Sequence, residues 1–114
     1  MTEINIRKIQ QIDNPEIARV IRSVLIEHDV PKVGTAYADP ELDFLFETYN
    51  KEKAIYFVVE NEGKIIGGAG ISQLANEASN ICELQKMYFL NEARGLGIGQ
   101  QMMQQCLEAA KDFG

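Results

Sequence analysis

The stretch that most constrains this 114-residue chain is Arg94-Gly95-Leu96-Gly97-Ile98-Gly99. Three glycines at alternate positions stand between an apolar run, Ile81 to Leu90, and an amphipathic stretch beginning at Gln100. A backbone so free of side chains can approach a ligand closely and turn its N–H groups towards one point. A helix starting there adds the positive end of its dipole, so the junction suits a phosphate or pyrophosphate. The dinucleotide fingerprint G-x-G-x-x-G fails, because Gln100 stands where its third glycine belongs, and G-x-x-x-x-G-K-[ST] is absent. What fits is [QR]-x-x-G-x-[GA], with Arg94, Gly97 and Gly99 at the fixed positions.

The rest of the chain supplies the setting. Ile4, Ile6 and Ile9 suit a half-buried strand. Asp13-Asn14-Pro15-Glu16 reads as a helix start, and Ile17, Val20, Ile21, Val24 and Leu25 form one helical face running to about His28, before Pro31. Residues 29–38 read as a loop. A second start, Asp39-Pro40-Glu41, leads into Leu42, Leu45, Phe46 and Tyr49 at helical spacing. Residues 54–60 (AIYFVVE) are a continuous β-branched and aromatic run, as expected of a strand buried on both faces. Asn61-Glu62-Gly63-Lys64 is a hairpin turn. Residues 65–72 (IIGGAGIS) return as a strand whose glycines imply a bulge or a close backbone approach. After a polar turn at 73–80, residues 81–90 (ICELQKMYFL) form a third long strand. The last segment puts Met102, Met103, Cys106, Leu107, Ala109, Ala110 and Phe113 on one helical face. The order is β-α-α-β-β-β-α, an α/β (α+β) class with a mainly antiparallel sheet flanked by helices, in one domain over residues 1–114.

Composition excludes some function classes. Eleven Lys and Arg against 17 Asp and Glu give a net charge of −6, with no basic run longer than two residues, which argues against nucleic acid. No apolar stretch approaches the roughly 20 residues of a membrane span, and residues 1–7 lack a signal-peptide layout. Cys82 and Cys106 have no metal-like spacing. A reduced, cytoplasmic protein without a metal is the expectation.

In this strand–loop–helix setting, after a helix pair and a hairpin, the chain resembles the GNAT superfamily of acyl-CoA-dependent N-acetyltransferases. The resemblance covers the whole chain and is best over CELQKMYFLNEARGLGIGQQMMQQCLEAA. It implies transfer of an acetyl group from acetyl-CoA, the cosubstrate, to a primary amine on a small molecule or peptide. The backbone N–H groups of Gly95, Leu96, Gly97, Ile98, Gly99 and Gln100 would hold the pyrophosphate. Met87, Tyr88 and Phe89 would pair with the pantetheine arm as though it were another strand, with the Phe89 N–H polarising the thioester carbonyl. Arg94 either adds charge near the phosphates or is a solvated loop residue. Asn91 stands where a proline is common in the family, which loosens the loop start and removes no ligand.

The resemblance also implies a base. Glu83 lies four residues before Met87, where some members carry a catalytic glutamate. It is either that base, acting directly or through water, or a solvent-facing strand residue. Strict alternation places it on one face with Gln85, Met87 and Phe89. The usual general acid, a tyrosine beyond the motif helix, has no equivalent in the sequence. Tyr37 either touches substrate or packs, His28 continues the stripe of the first helix, Cys106 is an inert core thiol and Cys82 is a buried-strand residue. The family fold continues past the last helix, so the resemblance implies that about a third of it is absent. The 81–90 strand then offers an open edge suited to pairing with a second copy. The alternative to an enzyme is accordingly a truncated CoA-binding or dimerising module without turnover.

Overall fold

A computed structural model describes residues 4–27, 40–73, 82–93 and 97–113. His28, Tyr37, Ile81, Arg94, Gly95 and Leu96 lie outside the described residues. The described elements are β1 (Ile4–Lys8), α1 (Asn14–Glu27), α2 (Leu45–Tyr49), β2 (Ala54–Asn61), β3 (Lys64–Gln73), β4 (Cys82–Phe89) and α3 (Ile98–Phe113). The four strands form one antiparallel sheet in the order β1-β2-β3-β4. The α+β class and the element order of the sequence reading therefore hold. Among the described residues, no helix is long and apolar enough to cross a membrane.

The sheet has a core on each face. On one, Ile17 and Ile21 of α1 meet Leu42, Leu45, Tyr49, Tyr56, Val58 and Ile65. On the other, Ile98, Met102 and Cys106 of α3 meet Phe57, Val59, Ile66 and Ala69. β2 feeds both cores, Tyr56 and Val58 to one and Phe57 and Val59 to the other, which explains its unbroken apolar run. The α3 stripe is narrower than its sequence suggests. Met102 and Cys106 are buried, whereas Met103 and Leu107 are exposed.

Polar side chains fix the helices on the sheet. Before α1 stands a single 3-10 turn, Gln11–Asp13. Buried Asp13 accepts two hydrogen bonds from Arg7 of β1, at 2.8 and 2.9 Å, and one from the Gln10 N–H at 2.8 Å. Burial pushes its carboxyl up, but the Arg7 and Gln10 hydrogen bonds and the Arg7 charge together hold it below the usual carboxylate range. Asn14 accepts from the Phe46 N–H and donates to Glu47, tying α1 to α2. Glu16 accepts from the Ile65 N–H at 3.0 Å, anchoring α1 at the start of β3.

The second predicted helix departs from expectation in its first turn. Residues Pro40–Phe44 are 3-10 and only Leu45–Tyr49 are α-helical. Side chains three apart eclipse in a 3-10 turn, and Leu42 and Leu45 are both fully buried while Phe44 points outward. The hairpin turn forms as read: Glu62 and Gly63 both take positive φ, 53° and 83°, the signature of a type I′ turn.

Candidate functional site around the β4 bulge

The site is built on β4, and β4 is not a regular strand. Its register against β3 runs Gln85 to Gly70 and then Tyr88 to Gly68, so Lys86 and Met87 oppose Ala69 alone. Lys86 sits at φ 48°, a left-handed conformation that costs a lysine about 1–3 kcal/mol and persists only where its surroundings hold it. Tyr56 provides the hold. Its buried hydroxyl donates to the Lys86 carbonyl at 2.8 Å. The ring reaches that far because β3 has glycines beneath it. A Cβ at Gly68 or Gly70 would stand 2.7 or 2.6 Å from the Tyr56 ring. The glycines of β3 thus serve a close side-chain approach, and the bulge lies opposite them on β4.

The bulge corrects the face assignment made from alternation. Glu83 and Gln85 lie on the α1–α2 face, together with Tyr88. Met87 and Phe89 pack on the opposite, α3 face. One extra residue inverts every side chain beyond it. Glu83 therefore does not share a face with Met87 and Phe89.

On the α1–α2 face a cleft of about 590 Å³ opens between α2 and β4, lined by Glu41, Tyr49, Lys51, Glu83, Gln85 and Tyr88 among others. Glu83 lines this cleft but is exposed, less enclosed than a half-buried base would be. It accepts a 2.7 Å hydrogen bond from the Gln85 side chain, which in turn accepts one of 2.7 Å from the Tyr49 hydroxyl. Tyr49 is buried and its ring lies 5.2 Å from that of Tyr56. Burial first, then the charges of Glu41 and Glu83, raise its hydroxyl far above the ordinary tyrosine value, so it stays protonated. Alternation placed Gln85 on the face of Glu83, as found, but the sequence reading saw Tyr49 only as part of an apolar stripe.

The second half of the site is backbone. β4 is an edge strand of the described sheet. The Leu90 N–H, just past β4, donates inward to the Ile66 carbonyl at 2.8 Å. Beyond a 3-10 turn at Asn91–Ala93, Gly97 takes φ 73° and α3 begins. The first backbone bond of α3 runs from the Gln101 N–H to the Gly97 carbonyl, at 3.3 Å. Ile98, Gly99 and Gln100 form the first turn of α3, whose N–H groups the helix's own i→i−4 ladder does not use. A Cβ placed on Gly97 or Gly99 would meet nothing within 4 Å among the described residues. Ile98 itself is buried and only its backbone serves the junction.

The two cysteines take no part in this arrangement. Cys106 is buried and its thiol is raised by burial, while Cys82 is half-buried. Among the described residues, no group of three or more His, Cys, Asp or Glu is placed to hold a metal ion.

Comparison with known proteins gives this geometry a family. The acetyltransferase (GNAT) family model matches residues 21–114. A protein of Escherichia coli (strain K12) described as the uncharacterized N-acetyltransferase YjgM is 44% identical over 109 residues, which is 95% of this chain. The chain spans 65% of that relative's length. Among solved structures, a GNAT-family acetyltransferase of Staphylococcus aureus Mu50 superposes with a TM-score of 0.82 at 22% identity, covering 96% of this chain and 67% of that one. A GNAT-family acetyltransferase of Brucella melitensis, in complex with acetyl-CoA, superposes with a TM-score of 0.73 at 20% identity, covering 98% and 71%. These two likenesses concern the fold.

Proposed function

The chain belongs to the acetyltransferase (GNAT) family, and from that premise we propose that it serves transfer of an acetyl group from acetyl-CoA to a primary amine of a small molecule or peptide. One observation carries the reading. The β4 bulge separates a side-chain cleft holding Glu83 on one face from a strand edge that leads towards the start of α3. Acetyl transfer needs both: a place for an acceptor beside a proton acceptor, and a backbone track ending at an anion site.

In this reading Gly97, Ile98, Gly99 and Gln100 receive the pyrophosphate, and Gly95, Leu96 and Arg94 complete the loop. The edge of Met87, Tyr88 and Phe89 receives pantetheine as an added strand. Glu83 takes a proton from the acceptor ammonium, directly or through water. The neutral nitrogen attacks the thioester carbonyl, the Phe89 N–H stabilises the oxyanion, and the C–S bond breaks. The amide nitrogen loses its remaining extra proton as the thiolate of CoA gains one, so the step balances.

Thiol release from acetyl-CoA, measured across a panel of primary amines, tests the reading. Amine-dependent release that falls by about 10²–10⁴ in Glu83→Gln supports it, the usual scale for a positioned base. Release indifferent to the amine would overturn it. A second reading, a non-catalytic module, is favoured by the same edge. Met87 and Phe89 are half-buried apolar residues on the outermost described strand, which is suited to two-fold pairing with another copy. Light scattering at micromolar concentration separates the two: a dimer that CoA does not dissociate, with no turnover, is the second reading's outcome.

A further inference from the structure

We propose that Tyr49 and Gln85 are positioning residues that act through Glu83, holding its carboxylate towards the acceptor side of the cleft. The inference rests on the reading of Glu83 as the base. The chain of contacts is short and directional: Tyr49 hydroxyl to Gln85 Oε1 at 2.7 Å, and Gln85 Nε2 to Glu83 Oε1 at 2.7 Å.

Chemistry fixes the direction of this chain. An ionised carboxylate only accepts, so the Gln85 NH₂ must face Glu83 and its carbonyl must face Tyr49. The Tyr49 hydroxyl therefore donates, and burial keeps it protonated to do so. Tyr49 is the anchor because it is buried. It ends α2, is fully packed, and rests against Tyr56, which in turn fastens the bulge. Glu83, by contrast, is exposed and would sample several rotamers without a partner. The other charged groups lining the cleft are Glu41 from the turn before α2, Lys51 before β2, and Lys86 on the bulge. The amide leaves the second carboxylate oxygen, Oε2, to meet an acceptor ammonium or a bridging water.

The distinguishing experiment is a set of cycles against Glu83→Gln. Gln85→Leu should lower kcat about tenfold, the scale of a lost hydrogen bond to a charged group, with KM for acetyl-CoA within about twofold. Tyr49→Phe, which keeps the ring and its packing, should lower kcat by about threefold in the same pattern. Both effects should vanish in the Glu83→Gln background, because groups acting through one residue are not additive with its loss. Equal losses in both backgrounds would show a merely structural role and overturn the inference, leaving the base assignment standing. Full turnover in Glu83→Gln alone would instead remove the base, and the positioning role with it. A readout independent of turnover is the NMR signal of the Gln85 side-chain amide. It should shift in Glu83→Gln and in Tyr49→Phe; an unmoved signal in both would overturn the contact chain itself.

Discussion

The two halves of β4 are held by different means. Before the bulge, the groups proposed to work are side chains, Glu83 and Gln85, linked by hydrogen bonds to a buried tyrosine on a neighbouring helix. After it, the groups proposed to work are backbone: the strand edge and the first turn of α3. The first half depends on residue identity and on long-range packing, the second on the absence of side chains. The hinge between them, Lys86, is held by the Tyr56 hydroxyl across the glycines of β3. The two halves should accordingly fail in different ways.

The largest expected effect is on the side-chain half. Glu83→Gln should cost about 10²–10⁴ in kcat, or roughly 3–5 kcal/mol of transition-state stabilisation, while CoA affinity is unchanged in calorimetry. Equal losses of rate and CoA binding would merge the two halves into one site. Next comes the hinge. Gly70→Ala would drive a Cβ to 2.6 Å from the Tyr56 ring and should destabilise the fold by about 1–3 kcal/mol in urea melts. It should also weaken both turnover and CoA binding, because the bulge aligns both halves.

Asp13→Asn is a control away from the hinge. It breaks the Arg7 pair and should cost about 2 kcal/mol of stability with turnover intact at temperatures where the variant is folded. Because the folded-state Asp13 carboxyl lies below its unfolded value of about 3.9, its contribution is present above that pH. It is lost as pH falls through the lower folded value. The Asn variant should lack this part of the acid limb in melts at pH 2 to 5. The smallest effect is that of Tyr56→Phe, which removes one hydrogen bond to the Lys86 carbonyl and should cost about 1 kcal/mol. It sharpens the comparison if kcat falls more than the stability change explains.

What was legible in the sequence follows from the same division. The glycine junction, the hairpin turn and the element order are local signals, punctuated by Gly and Pro, and local chemistry decides them. The face of Glu83 was not legible from alternation, because no glycine or proline marks Lys86. Its conformation is imposed by Tyr56, thirty residues earlier in the chain. A trace of the bulge is still present: the apolar positions Leu84, Met87 and Phe89 are spaced three and then two, where a regular strand would give two and two. Alternation did put Gln85 beside Glu83, but Tyr49 carried no local signal as their partner, since that contact exists only after α2 packs beside β4. The 3-10 start of the second helix was likewise decided by burial of Leu42 and Leu45 together.

In the proposed function the start of α3 receives the pyrophosphate of CoA independently of the Glu83 cleft. Gly99→Asp tests it most directly. Gly99 lies in the first turn of α3 with no described residue within 4 Å of an added Cβ, and an acidic residue there favours the helix dipole. The melting temperature should therefore hold or rise slightly. Calorimetry with CoA should nevertheless show binding lost in Gly99→Asp and retained in Glu83→Gln. Unchanged CoA affinity in a folded Gly99→Asp protein would contradict the account.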